Sequence, residues 1–85
     1  MIPVEWIDKT GRTRKAYELG AVDAAAVLGL SAKSVRAMCQ TGEIAALPRA
    51  SVHDPWRIPA PVIHAWVAAR TAAAMEAAQA RRDAA

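Results

Sequence analysis

Ser51, His53 and Asp54 bring the three residue types of a hydrolytic triad close together. In such a triad the imidazole takes the proton of the serine hydroxyl, and the carboxylate orients the imidazole. Residues this close in sequence, at the tip of one loop, cannot hold the separate positions of nucleophile, base and orienting group. We therefore predict that the protein has no catalytic residues and is not an enzyme.

Cys39, His53 and His64 belong to the residue types that bind transition metals. Their spacing matches no compact ligand pattern, and Cys39 is the only cysteine, so we predict no metal site. A chain of 85 residues buries only about 60 to 65% of its unfolded surface. That modest core leaves no room for a cofactor-binding fold, and we predict no cofactor.

Lys33 and Arg36 are a candidate site of a different kind. They are three residues apart, which places both on one face of a helix. Long cationic side chains on one face can reach base edges in DNA, where arginine to guanine is the commonest specific contact. A merely solvated helix face is the alternative, and it stays open at this point.

Two short helices would position this pair. Apolar residues at helical spacing predict a first helix over residues 20–28, and Gly29 can adopt the left-handed conformation that ends it. Ser31 is a good N-cap for a second helix over residues 32–40, which ends before Gly42. The two helices are therefore separated by a tight turn, either as core helices of a small bundle or as a helix-turn-helix.

The second helix has a core face and an opposite face. The core face is predicted to hold Val35, Met38 and Cys39. The opposite face is predicted to hold Ala32, Lys33, Arg36 and Gln40. The small side chain of Ala32 would let the backbone approach a partner closely while the cations reach past it.

The hydrophobic period changes after the second helix. Residues 44–47 and 56–58 are strand candidates separated by a turn-rich segment, so we predict a β-hairpin whose tip holds Arg49, Ser51 and His53. A third helix then begins near two prolines, which suit a helix start. Its apolar stripe consists of Val62, Ile63, Trp66 and Val67.

Large aromatic residues near the hairpin and the third helix are predicted to be core. They are Trp56 and Trp66. Beyond Arg70 the third helix is mostly alanine, which favours helix but offers few side chains for packing. We expect this part, residues 71–85, to extend outward from the domain and to fray.

Residues 1–19 are predicted to form an arm rather than a packed element. Val4 and Trp6 alternate with polar neighbours, and the sequence DKTGR is a plausible turn, so the arm is either a hairpin or one extended edge strand. We hypothesise that residues 3–8 add a strand to an adjacent copy. Trp6 then either covers the edge of its own domain or anchors an interface between copies.

Charge and composition indicate the cellular compartment in which the protein works. The net charge is +3, and a single cysteine allows no intramolecular disulfide, which favours a reducing compartment. The first residues lack the pattern of a secretory signal, and no apolar run approaches the length of a membrane span. We expect a soluble cytoplasmic protein.

The order helix, tight turn, helix, hairpin, helix is that of a winged helix-turn-helix. Residues 20–70 resemble the excisionase and MerR-like DNA-binding family, through AAAVLGLSAKSVRAMCQTGEIAAL and PWRIPAPVIHAWV. The resemblance implies a mainly α fold with a small β-hairpin wing. It implies that the second helix enters the major groove and that the wing touches the minor groove or the backbone.

The resemblance also suggests which residues touch DNA. In the second helix and its ends they are Ser31, Ala32, Lys33, Ser34, Arg36, Gln40 and Thr41. In the wing they are Arg49, Ser51, His53 and Arg57. Of these, Lys33 and Arg36 would read bases, while Ser31, Thr41 and the basic wing residues would contact phosphates and set the docking pose. For Arg57, beside the strand end, the alternative is that it only braces the wing.

Phage excisionases in this family are recombination directionality factors, which bind adjacent DNA sites, bend the DNA and direct an integrase toward excision. The resemblance implies double-stranded DNA, a phage integrase and further copies of the chain as partners, inside a bacterial host cell. Alanines on the second helix indicate weak binding per copy, which favours cooperative binding. A small transcriptional regulator, or an interaction module that uses the alanine-rich helix, are the alternatives.

Overall fold

The computed structural model describes residues 1–84, and Ala85, the last residue of the predicted extension, lies outside them. Three helices and two small antiparallel strand pairs make up this part of the chain, which confirms the predicted fold class, a winged helix-turn-helix. In chain order the elements are β1 (Val4–Ile7), β2 (Thr13–Ala16), β3 (Glu18–Leu19), α1 (Ala21–Leu28), α2 (Ala32–Thr41), β4 (Ile58–Pro59) and α3 (Ala60–Ala84).

The turn between α1 and α2 forms as its residue types predict. Gly29 ends α1 with a φ of 69°, and the backbone N–H of Leu30 donates to the Ala25 carbonyl at 3.0 Å. Ser31 caps α2, because its Oγ accepts the backbone N–H of Ser34 at 3.0 Å. Such a cap stabilises a helix by about 1 kcal/mol. The tight turn therefore holds the two helices at a fixed angle.

The core lies where α1, α2, α3 and the short strands meet. Its largest fully buried side chains are Leu19, Val35, Ile44, Ile58 and Ile63. Val35 and Cys39 are buried and Met38 is half-buried, so the predicted core face of α2 is confirmed. Trp56 and Trp66 are half-buried and pack against the core, as predicted.

The N-terminal segment packs against the domain, which differs from the arm that we expected. β1 and β2 form an antiparallel hairpin that pairs Val4 with Ala16 and Ile7 with Thr13. Val4 is only 3% exposed because its side chain lies in the core. Of the two alternatives for this segment, the hairpin is therefore the one that forms. The N-terminal hairpin, residues 4–16, is a packed part of the fold.

The wing, residues 45–57, is less regular than the predicted hairpin. Its two sides are joined by a hydrogen bond from the Leu47 N–H to the Arg57 carbonyl at 2.8 Å, and residues 44–47 form no strand. Ile58 pairs instead with Leu19 of β3. Pairing with β3 buries Ile58 completely, and the prolines at 48 and 55 have no N–H for a longer ladder.

Helix α3 begins against the core and then leaves it. Ala60 and Ile63 are buried, whereas the residues after Trp66 are exposed apart from Ala78, which is half-buried. The outward extension of the helix that we predicted is present, and the molecule measures 51 × 31 × 25 Å. Within residues 1–84, no helix combines the length and apolar character needed to cross a membrane.

Arg70 fastens α3 to the end of α1. Its Nη1 donates to the Leu28 carbonyl at 2.9 Å, and its guanidinium lies 5.0 Å from the centroid of the Trp66 ring. The contact satisfies one of the carbonyls that the last turn of a helix leaves unpaired, and it places a positive charge at the negative end of α1. The direction of α3 is therefore coupled to the helix-turn-helix.

Candidate nucleic-acid interface

The outer face of α2 carries two free cations. Lys33 and Arg36 are exposed, and the ion pairs found within residues 1–84 both lie in the N-terminal hairpin. Ser34 and Gln40 are exposed beside them, and the first turn of α2 contains no acidic residue. The face therefore presents positive charge and hydrogen-bond donors to any partner that approaches it.

Ala32 lies differently from our expectation. It is half-buried and packs against the core, whereas we expected it on the face opposite the core. Ala32 directly follows the Ser31 N-cap in the first turn of α2, next to Leu30, which also packs against the core. Only a part of Ala32 remains at the surface next to Lys33.

The polar residues at the two ends of α2 are occupied by the helix itself. Ser31 Oγ accepts the Ser34 N–H, and its hydroxyl donates to Ser34 Oγ at 2.9 Å. Thr41 Oγ1 donates to the Met38 carbonyl at 3.2 Å. Ser34 keeps its own hydroxyl proton for another acceptor. Of these three side chains, Ser34 is thus the one best placed to donate a hydrogen bond outward.

Arg49 supports the wing from inside. It is half-buried, and its Nη1 donates to the carbonyls of Val52 at 3.2 Å and Asp54 at 3.1 Å. The guanidinium lies 3.7 Å from the centroid of the Trp56 ring, which is a close cation–π contact. The residue type alone did not reveal this role, because the carbonyls that Arg49 holds are backbone atoms.

The wing tip is a tight turn whose side chains face solvent. The Asp54 N–H donates to the Ser51 carbonyl at 3.1 Å, and the His53 N–H donates to Ser51 Oγ at 3.1 Å. Ser51 therefore contacts the backbone of His53 and not its imidazole. Val52, which sequence reasoning did not single out, is 79% exposed at this tip. Arg57, on the returning side of the wing, is exposed.

Cys39 lies on the buried face of α2, away from the exposed cations. Burial raises the pKa of the Cys39 thiol, since the charged thiolate is poorly solvated there. The thiol is therefore protonated at neutral pH and is a weak nucleophile. It contributes to packing as a small apolar side chain.

The two residues proposed for self-association have different surroundings. Val4 is in the core, so its side chain cannot pack on a neighbouring copy. Trp6 is half-buried against the core of its own domain, with the guanidinium of Arg14 5.8 Å from its ring centroid. In the two-stranded sheet β1 pairs with β2 alone, which leaves one edge of β1 without a strand partner in the described chain.

The part of the chain that carries this interface matches a known domain family. Comparisons with curated proteins and with solved structures gave no significant match. The family model described as a helix-turn-helix domain matches residues 18–71, which include α1, α2, the wing and the start of α3. The match spans more than half of the chain, and the two exposed cations lie within it on the second helix. The chain therefore belongs to the helix-turn-helix domain family, a family of DNA-binding domains.

Proposed function

We propose that the protein is an excisionase-like architectural factor that binds specific DNA sites cooperatively, bends the DNA and directs a phage integrase toward excision. The observation that carries the proposal is the pair of exposed, unpaired cations, Lys33 and Arg36, on the second helix of a helix-turn-helix. In this proposal α2 lies in the major groove, where Arg36 pairs with a guanine and Lys33 contacts a neighbouring base or phosphate.

The other predicted contacts divide between bases and backbone. Ser34 and Gln40 flank the cations on α2 and add hydrogen bonds to the same groove. The exposed side chains of Ser51 and His53 at the wing tip contact the minor groove, and Arg57 contacts a phosphate. Arg49 acts indirectly, by holding the wing in the shape that these contacts require.

Weak binding by one copy favours binding by several. Only two cations project from α2, and the exposed residue beside them, Ala37, offers no polar group. Adjacent copies on DNA would add their contacts together, and the summed contacts offset the cost of bending a site, on the order of 1–6 kcal/mol. A bent site changes which DNA ends an integrase can join, so a protein without chemistry of its own can direct recombination. The protein would act on DNA inside a bacterial host cell.

A mobility-shift titration on DNA from the attachment region of the source element tests this proposal. We expect stepwise complexes with the wild-type protein and a loss of affinity of at least tenfold for the Lys33→Ala, Arg36→Ala double variant, since two charged DNA contacts disappear. The matched control is Arg81→Ala, Arg82→Ala, which removes the same charge from the far end of α3 and should bind normally.

The outcomes separate the competing functions. Equal binding to a scrambled duplex, unchanged in the Lys33, Arg36 variant, would contradict the proposal. Specific binding to a promoter rather than to the attachment region would make the protein a small transcriptional regulator. With purified integrase added, the proposal also requires that the wild-type protein stimulates excision and that the double variant does not.

A further inference from the structure

The N-terminal hairpin contains a second group of cations. It carries four basic residues, of which two are paired, Arg14 with Asp8 at 3.5 Å and Lys15 with Glu5 at 3.7 Å. The other two, Lys9 and Arg12, are exposed and have no ion-pair partner within residues 1–84. Both lie in the turn that connects β1 to β2. The turn therefore presents two uncompensated positive charges.

This turn is held in one shape by its own hydrogen bonds. Asp8 Oδ1 accepts the backbone N–H of Thr10 at 2.9 Å and that of Arg12 at 3.1 Å, and it also accepts the Thr10 hydroxyl. The Asp8 N–H donates to the Arg12 carbonyl at 2.9 Å, and Gly11 supplies the positive φ of 82° that the turn needs. Because the backbone of the turn is already ordered, little further conformational entropy is lost when the two cations bind a ligand.

The turn lies beside the first helix of the helix-turn-helix. A groove of about 250 Å³ lies between the two, and Trp6 is one of its lining residues. Asp8, Lys9 and Thr10 line the groove on the hairpin side, and Val22, Asp23 and Ala26 line it on the α1 side. When the second helix of such a motif occupies the major groove, the first helix crosses the DNA backbone. An element beside α1 can therefore come within reach of phosphates.

We propose that Lys9 and Arg12 form a second phosphate-binding element, which contacts the DNA backbone beside α1. The inference rests on the proposed DNA binding and extends it by a contact outside the helix-turn-helix. The phosphate backbone of DNA is the ligand, because both cations project from one ordered turn and neither forms an ion pair within residues 1–84. The wing, α2 and this turn would then contact DNA at three successive places.

The salt dependence of DNA affinity tests this element. Binding of the wild-type protein to the duplex that it selects from a randomised pool is measured by fluorescence anisotropy over a series of salt concentrations. Affinity falls as salt rises, and each phosphate contact makes the slope of log affinity against log salt concentration steeper by about 0.9. We expect the Lys9→Gln, Arg12→Gln variant to make this slope shallower by about 1–2, with sequence preference unchanged.

Two matched variants make the result specific. Arg81→Gln, Arg82→Gln removes the same charge from the end of α3 and should leave the slope at the wild-type value. Circular dichroism melting should give all variants the wild-type transition, because the four side chains are exposed. A slope in the Lys9, Arg12 variant equal to that of the Arg81, Arg82 variant would overturn the inference. Binding of an acidic protein by the turn would not rescue it, because the inference concerns DNA phosphates.

Failure of the proposed function would look different. In that case the wild-type protein would select no duplex, and Lys33→Gln, Arg36→Gln would change neither affinity nor slope. If instead the Lys33, Arg36 variant loses specific binding while the Lys9, Arg12 variant keeps the full slope, DNA binding stands and the second element falls. Hydroxyl-radical footprinting supplies an independent readout, in which the Lys9, Arg12 variant should lose protection of a backbone segment flanking the α2 contact.

Discussion

Arg49 illustrates how the same residue type can serve the wing in two ways. An exposed arginine at a wing tip would contact DNA directly, whereas this side chain turns inward to two backbone carbonyls and the ring of Trp56. Arg57, nearby in the wing, is exposed and has no such contacts. The two arginines should therefore respond differently to the same substitution.

We expect Arg49→Ala to lower the free energy of unfolding by about 1 kcal/mol, because a cation–π contact and two hydrogen bonds are lost from a half-buried side chain. Arg57→Ala should leave that free energy unchanged. Chemical denaturation followed by tryptophan fluorescence measures both. A stable Arg49→Ala variant with unchanged fluorescence would mean that the wing keeps its shape without this brace.

At the scale of elements, the N-terminal hairpin has a strand edge that could pair with another strand. Its first strand has one unpaired edge, and Ile7 on that strand is 70% exposed. Exposed edges of this kind pair readily with other strands, and a lysine on the edge prevents that pairing. Contact between copies through β1 therefore stays a proposal that can be tested without disturbing Val4 in the core.

We expect Ile7→Lys to keep affinity for a duplex with a single site and to lose cooperativity on a duplex with two adjacent sites. Met75→Lys is the control, because it replaces another exposed apolar residue with the same charge on the outer part of α3. Titrations of both duplexes give the ratio of affinities. Undiminished cooperativity in Ile7→Lys, equal to that of Met75→Lys, would exclude the β1 edge as the contact.

Local signals explain which elements could be predicted from sequence. Gly29 and Ser31 act on their own neighbours through a positive φ and a hydrogen bond to the first turn, so the tight turn between α1 and α2 could be predicted from residue types. Strand pairing is not local. Ile58 could pair within the wing or with Leu19, and only the packed molecule decides between them, by burying both side chains completely.

In the candidate site too, the features set by local sequence could be predicted and those set by the folded loop could not. Lys33 and Arg36 share a face because of helical spacing, and the structure keeps both exposed. The bracing role of Arg49 could not be predicted, since its partners are backbone carbonyls whose positions depend on the shape of the whole loop. The alternation that predicted a strand at Val4 carried no information about packing, because any apolar alternation also fits an exposed edge.

At the scale of the whole molecule, the outer part of α3 contributes little to the core. Residues 72–84 are exposed apart from Ala78. We expect a chain that ends after Thr71 to keep the wild-type melting temperature to within a few degrees and to bind DNA with wild-type affinity. Thermal melting and the anisotropy titration check this, and loss of either property would show that the alanine-rich part supports the fold.

The same shortened chain also locates a partner. If the outer part of α3 contacts the integrase, the shortened protein should bind and bend DNA normally while its stimulation of excision falls. Normal stimulation would place the integrase contact elsewhere. Normal DNA binding by the shortened chain, together with its loss in the Lys33, Arg36 variant, would exclude the interaction-module alternative, which requires the alanine-rich helix and neither of the two cations.

The clamp of Arg70 on the Leu28 carbonyl gives α3 a fixed heading relative to α2. The part of α3 beyond this contact, residues 71–84, projects by about 20 Å at about 1.5 Å per residue. Copies bound about 10.5 base pairs apart, one turn of the DNA helix, would project their α3 helices from the same side of the DNA. Copies separated by an additional half turn would project them from opposite sides. The spacing between sites would thereby set the direction in which each α3 projects. A change of a few base pairs would rotate one copy's α3 about the DNA axis relative to that of its neighbour.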